Sequence, residues 1–378
     1  MGRSKSTSAD TPPSTVFVLQ GGGALGSYQA GAFEALAARA GHPHWVAGIS
    51  IGAINAALIA GNPAEKRVER LRAFWEMVTS ALPPSPLAGT NELLRSWGND
   101  LGAAWTAAVG LPGFFTPRAG VAAWPGALPT PSLYDTARLR DTLLELVDFD
   151  RLNDGSTRLS VGAVDVESGN FAYFDTRDVR VGPEHIMASG ALPPSFPAIA
   201  IDGRAYWDGG LVSNTPLRHV VEHVHAGAMT IFQVDLFSAR GALPRTLAEV
   251  DERGKDIRFS SRTRAVTDLL RERYELYRRI RALAAMLPAA RRATPEVRAM
   301  LEQTDDAAIT LVHLIRRHTG YETHTKDYEF SRDSMLEHWQ AGLCDMEHSL
   351  RALAAAPAAV DPCSFRVFDF HGPGAGRT

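Results

Sequence analysis

Residues Trp45-Val46-Ala47-Gly48-Ile49-Ser50-Ile51-Gly52 decide how the chain is read. The apolar run ahead of Gly48 marks the end of a buried strand. Ile54-Asn55-Ala56-Ala57-Leu58-Ile59-Ala60 continues as an Ala-rich helix that stops near Gly61-Asn62-Pro63. A serine between glycines at a strand-to-helix turn is a nucleophile elbow. The turn lifts the hydroxyl clear of the sheet, and Gly48 and Gly52 leave room for the backbone to bend. The helix that begins there points free N–H groups and a positive dipole end at any nearby anion.

Upstream, Thr15-Val16-Phe17-Val18-Leu19-Gln20 reads as a first strand, followed by Gly21-Gly22-Gly23-Ala24-Leu25-Gly26 and a helix over 27–39. Two β-α units in succession imply a parallel sheet with helices on its faces. Gly21, Gly23 and Gly26 also satisfy the G-x-G-x-x-G dinucleotide pattern. That use requires an acidic residue at the end of the second strand, where Ala47-Gly48-Ile49-Ser50 stands instead. The Lys-Ser/Thr of a phosphate-binding loop is missing as well. Beside Ser50 the loop has another use. Neighbouring parallel strands end on one edge, so glycine backbone can aim N–H groups at the oxyanion formed when a serine attacks an ester. Such donors are worth about 3 kcal/mol each in the transition state.

Downstream, 65–82 reads as a helix carrying Leu71, Phe74, Trp75 and Val78. From Pro83 to Pro131 the chain is rich in Pro, Gly and aromatics, with Trp97, Trp105, Phe114, Phe115 and Trp124 in no clean period. Two readings stand: an apolar wall or lid over a site, or aromatics filling the core. A helix over 136–147 precedes a hairpin of 158–166 with 170–174, and a short helix over 186–192 ends at Pro193-Pro194. A second hairpin, Ile199 to Trp207, delivers Asp208-Gly209-Gly210, and Thr230 to Leu236 is a further strand. Long helices fit 261–287 and 332–355.

Serine is a weak nucleophile at neutral pH and needs a base. No histidine stands in an obvious loop-end motif, whereas Asp208 ends a hairpin where Gly209 and Gly210 let backbone pack close. An aspartate there could take the serine proton directly.

Together the blocks Gly21 to Gly26, Gly48 to Gly52 and Asp208 to Gly210 resemble, in order and spacing, the patatin-like phospholipase family. The passages Ala188-Ser189-Gly190-Ala191-Leu192-Pro193 and Asn214-Thr215-Pro216-Leu217 look like that family's segment around its aspartate. The resemblance covers about 15–237. It implies a three-layer α/β/α fold with a mostly parallel central sheet, and lipid acyl hydrolysis by a Ser-Asp dyad. Carried over, Ser50 is the nucleophile, Asp208 its base, and the Gly21, Gly22, Gly23 and Gly26 loop the oxyanion hole, without metal or cofactor. The expected organisation, read also from composition and charge, is a disordered tail over 1–14, a catalytic domain over 15–239 and a mainly helical C-terminal extension over 240–378. One departure is Leu25, where many members carry Arg or Lys.

Other signals compete. His219-Val220-Val221-Glu222-His223 matches the H-x-x-E-H spacing of a metalloprotease family. Over 262–287, Val266, Leu269, Leu276, Ile280, Leu283 and Leu287 form a stripe flanked by Arg271, Arg273, Arg278, Arg279 and Arg281. That helix suits either peripheral docking on anionic lipid or packing on the catalytic domain. It lies in the stretch from Arg240 to Arg298, which holds 15 basic and 8 acidic side chains.

The formal net charge of −3 gives no general pull towards nucleic acid. Two cysteines, Cys344 and Cys363, build no disulfide framework, which suits a reducing, cytoplasmic setting. No secretory signal is visible, although Met1-Gly2-Arg3-Ser4-Lys5-Ser6 fits the loose myristoylation pattern. No stretch reaches the roughly 20 apolar residues of a membrane span, so membrane contact is expected to be peripheral.

Overall fold

The computed structural model describes residues 14–81, 92–118, 132–224, 227–305, 307–317, 322–357 and 363–370. Trp124, the Met1 to Ser6 pattern and the expected tail up to 13 lie outside the described residues.

The strands are β1 (Ser14–Leu19), β2 (Trp45–Gly48), the two-residue pair β3 (Thr116–Pro117) and β4 (Tyr134–Asp135), β5 (Arg158–Asp165) and β6 (Phe171–Asp175). They continue with β7 (Ile199–Ile201), β8 (Arg204–Asp208), β9 (Ala228–Asp235), β10 (Ala308–Ile315) and β11 (Ser364–Phe368). Around them lie α1 (Ser27–Ala40), α2 (Ile51–Ala60), α3 (Arg67–Val78), α4 (Glu92–Val109), α5 (Ala137–Leu146) and α6 (Phe149–Leu152). The second half holds α7 (Pro183–Ser189), α8 (Leu217–Glu222), α9 (Leu247–Met286), α10 (Ala289–Arg292), α11 (Pro295–Glu302) and α12 (Arg332–Ala355).

Among the described residues nine strands form one sheet, in the order β11-β10-β9-β1-β2-β5-β8-β7, with β6 on the other edge of β5. Every pairing from β11 to β5 is parallel. Alternation along β1 sends Phe17 and Leu19 to one face, where they meet Phe33, Leu36, Leu58, Trp75 and Trp339. Val16 and Val18 point the other way, to Leu217, Val220, Leu270 and Tyr274. Helices therefore cover both faces, which makes a three-layer α/β/α molecule with a mostly parallel sheet.

The register of β5 brings distant parts of the chain together. β2 runs parallel to it and stops with Gly48 opposite Val161. β8 runs antiparallel and ends with Asp208 opposite Ala163. Because β6 occupies the far edge of β5 over the same residues, β2 and β8 share one edge and approach each other end to end. The turn leaving Gly48 and the end of β8 thus meet.

Beyond 239 the chain is mainly helical, as expected, but it also adds two strands. β10 pairs with β9 and β11 with β10, widening the central sheet. The run Ala308-Ile-Thr-Leu-Val-His-Leu-Ile supplies the β-branched residues such a buried strand favours, a signal hidden between long helices. α12 lies backbone to backbone on α1. A Cβ on Gly31 would stand 1.9 Å from the Trp339 carbonyl oxygen, and one on Gly342 would stand 1.9 Å from that of Tyr28. α9 starts at Leu247, where Thr246 Oγ1 accepts from the Glu249 N–H at 3.2 Å, well before the expected 261. Leu270 and Tyr274 are buried on it, with Val266 of the expected stripe and Tyr277 partly buried beside them, whereas Leu269, Leu276 and Leu283 of that stripe are exposed. No described helix is long and apolar enough to cross a membrane.

Candidate active site

Ser50 sits at φ 55°, ψ −126°, in a region of backbone space that non-glycine residues seldom occupy. The turn closes because its flanking glycines admit neighbouring backbone. A Cβ on Gly48 would lie 2.2 Å from the Gly52 carbonyl oxygen, and one on Gly52 would lie 2.5 Å from that of Leu19. Ser189 anchors the turn from below. The Ser50 N–H donates to the Ser189 carbonyl at 3.1 Å and to its Oγ at 3.0 Å. That hydroxyl in turn donates to the Gly162 carbonyl at 2.6 Å.

Asp208 is buried at the end of β8, with its N–H on the Ala191 carbonyl at 3.0 Å. Its Oδ1 accepts from the Gly210 N–H at 2.7 Å, and the Ser50 hydroxyl lies close enough to its carboxyl to favour the charged form. Burial pushes its pKa up to about 7, against the smaller lowering effect of those two donors. A carboxylate so tuned is a proton acceptor near neutral pH.

The glycine loop divides its labour. Gly21 donates its N–H to the Asn214 carbonyl at 3.2 Å and accepts from Asn214 Nδ2 at 3.0 Å, so its N–H is spent. Gly26 lies away from the cavity, tight against Ile51 and Trp75, with its carbonyl on Asn55 Nδ2 at 2.9 Å. Of the four loop glycines expected to serve an oxyanion, those two are therefore structural. The Gly22 and Gly23 N–H groups donate to no acceptor among the described residues, and both residues line the cavity. Gly23 has φ 55°, and a Cβ there would strike the Asp327 carbonyl oxygen at 2.1 Å. The next N–H, of Ala24, donates to that same oxygen at 2.9 Å. Leu25, at the family's basic position, is fully buried in the core and places no charge near the site.

These groups open into a cavity of about 320 Å³, at the small end of ligand pockets. Its walls are apolar, chiefly Ile51, Ile54, Phe114, Phe115, Phe196 and Phe330. Phe114 and Phe115 serve both readings of the aromatic stretch, belonging to the core and facing the cavity. Asp208 and Gly210 are on the wall, whereas Gly48, Gly52 and Gly209 shape the turns behind it.

Four contributors have no role assigned by the sequence, although Ser189 and Asn214 stand in the segments that resemble the family. Asn214 ties the glycine loop to the Asp208 turn, and Ser189 holds the elbow. Gln20, fully buried, donates to Thr215 Oγ1 and the Phe259 carbonyl, and accepts from the Leu236 and Phe237 N–H groups. The fourth is a strap over 322–330, in which Asp327, Tyr328 and Phe330 close the cavity from the C-terminal part of the chain. Lys255 Nζ pins the strap at Asp327 Oδ1 and the His324 carbonyl, both at 2.7 Å.

The H-x-x-E-H residues are occupied elsewhere. His219 stacks on Tyr173 at 3.9 Å and places Nε2 3.3 Å from Asp175 Oδ2. Glu222 pairs with Arg218 at 2.8 Å, and His223 Nδ1 bonds the His219 carbonyl at 2.8 Å. Among the described residues no group of three or more His, Cys, Asp or Glu side chains is arranged to hold a metal.

Residues 17–221 match the family model described as patatin-like phospholipase, and residues 257–357 match one described as patatin phospholipase. No curated protein matches the chain. Among solved structures it is similar to VipD from Legionella pneumophila, at 13% identity and TM-score 0.38, covering 90% of this chain and 67% of that one. The type III effector ExoU is similar at 14% identity and TM-score 0.32, covering 90% of this chain and 53% of that one. ExoU from Pseudomonas aeruginosa in complex with SpcU gives 20% identity and TM-score 0.25, covering 66% and 50%. The chain thus spans about half the length of ExoU.

Proposed function

The chain belongs to the patatin-like phospholipase family, and on that premise we propose that it cleaves lipid acyl esters with Ser50 as nucleophile and Asp208 as general base. One observation carries the assignment: a serine on a strained elbow and a buried aspartate of pKa about 7 face the same apolar cavity, beside two unspent N–H groups. Asp208 accepts the proton as Ser50 Oγ attacks the ester carbonyl, and the Gly22 and Gly23 N–H groups receive the developing oxyanion. Collapse expels the alcohol, which takes the proton back from Asp208. Water then attacks the acyl-enzyme, again giving its proton to Asp208, and Ser50 is restored as the acid leaves. The acyl chain lies along the apolar side chains of Ile54, Phe114 and Phe330.

Ser50→Ala and Asp208→Asn are each expected to reduce turnover of a p-nitrophenyl acyl ester by at least about 10³-fold with the fold intact. Residual turnover from Asp208→Asn near that of the unaltered protein would overturn the dyad. With Asp208 as base, kcat/KM rises with pH through about 7 and levels above it, because only the ionised carboxylate accepts the proton.

A further inference from the structure

α4 turns two unlike faces to its surroundings. Ala103, Thr106 and Ala107 line the acyl cavity, with Ala103 and Thr106 buried. On the opposite side, at helical spacing, stand Trp97, Leu101, Trp105 and Val109, which are 72%, 68%, 52% and 50% exposed. At 1.5 Å per residue this apolar row runs about 18 Å along the helix. The only charged residues of α4 are Glu92, Arg95 and Asp100. The last is tied down, its Oδ1 accepting from the Thr323 and Thr325 hydroxyls at 2.6 Å and 2.9 Å. Leu133, also exposed, lies on the cavity wall.

A row of this kind normally marks an interaction surface. Its position narrows the occupant. The other face of the same helix walls the cavity that holds Ser50, and a water-insoluble ester reaches that cavity only from an aggregate of its own kind. Tryptophan, apolar in body with one N–H, favours the boundary between water and lipid. We propose that the outer face of α4 seats the protein on a lipid surface with the cavity mouth turned towards it. The inference rests on the lipid-hydrolase reading of the site.

It also moves the membrane contact away from the basic helix. Arg271 pairs with Asp268, Arg278 and Arg279 with Glu275, and Arg273 with Glu222, so much of the positive charge of α9 is met within the molecule. A largely uncharged row predicts binding to zwitterionic lipid that is insensitive to salt, whereas a basic helix would need anionic lipid and low salt.

The test uses the full chain carrying Ser50→Ala, mixed with phosphatidylcholine vesicles with and without phosphatidylglycerol, at low and high salt. Co-sedimentation is expected with both vesicle types and with little salt dependence. Leu101→Glu is expected to weaken binding by about tenfold or more, and Trp97→Glu likewise, as an exposed site where a charge does not disturb the core. Absence of binding, binding by both variants at full strength, or binding only to anionic vesicles at low salt would each overturn the inference. So would a dimer in sedimentation that Leu101→Glu splits, since a second copy would then cover the row. Soluble-ester turnover by the Ser50 protein reads the other question separately. Turnover without vesicle binding removes this inference alone, and vesicle binding without turnover removes only the assignment of Ser50 and Asp208.

Discussion

Keeping Asp208 buried costs stability at the pH where the proposed mechanism needs it ionised. In the unfolded chain its carboxyl titrates near the usual aspartate value, whereas burial holds it at about 7 in the folded protein. Between those two values the folded state binds a proton that the unfolded state has lost, so stability falls as pH rises through this window and is flat above it. Asp208→Asn keeps the Gly210 acceptor and removes the titration. It is therefore expected to raise the thermal midpoint over the unaltered protein, by a margin that grows from pH 4 to about pH 7, as scanning calorimetry would show. Asp235 is the control. It is buried at the end of β9, is pushed up to about 7 by that burial, and accepts from Gln233 Nε2 at 2.8 Å. Asp235→Asn should give a similar pH-dependent stabilisation while the kinetic pKa stays put. Loss of the kinetic pKa in Asp235→Asn would mean that the activity profile belongs to the wrong carboxyl.

Elements explain which parts of this arrangement can be read without coordinates. The elbow and the Asp208 turn are legible because each is a local rule written in glycines: the backbone has to bend at Gly48 and Gly52 whatever surrounds it. The phase of α9 is not legible, because Leu270, Tyr274 and Tyr277 offer a second apolar face beside the leucine stripe. The sheet side takes the one with Leu270, Tyr274 and Tyr277 and leaves the leucines at 269, 276 and 283 exposed. Nor does any local rule announce the α1–α12 contact, since Gly31 and Gly342 are unremarkable helix glycines until the two helices meet. That contact is testable by adding one carbon. Gly342→Ala forces a Cβ to within 1.9 Å of the Tyr28 carbonyl oxygen, which only separation of the helices relieves. A loss of about 1–3 kcal/mol in urea unfolding is expected. Gly254→Ala on α9 meets nothing within 4 Å and should instead gain about 0.5–1 kcal/mol, as an open helix glycine does. Equal behaviour of the two variants would mean that the helices do not pack this closely.

At the scale of the whole molecule, two family matches, 17–221 and 257–357, describe one sheet. β9 lies between the matched stretches in sequence and joins them in space, with β1 on one side and β10 on the other. The site is assembled the same way. Ser50 and Asp208 come from the first stretch, while Asp327 and Phe330 close the cavity from the second, and the Asp327 carbonyl holds the glycine loop through Ala24. Composition suggested a boundary at 239 because charge and helix length change there, but hydrogen bonding between strands leaves no mark in composition. Ending the chain at 239 would strip β9 of its β10 partner, leaving an unpaired edge of eight residues. It would also uncover the apolar face of α1 that Trp339 and Met346 now bury. The expected outcome is a fragment that aggregates on expression and shows no ester turnover, with soluble, active protein recovered when 240–378 is supplied on a second chain. A soluble 1–239 fragment with the turnover of the full chain would show that the first stretch folds alone, and that the strap from 322 to 330 is dispensable to the site.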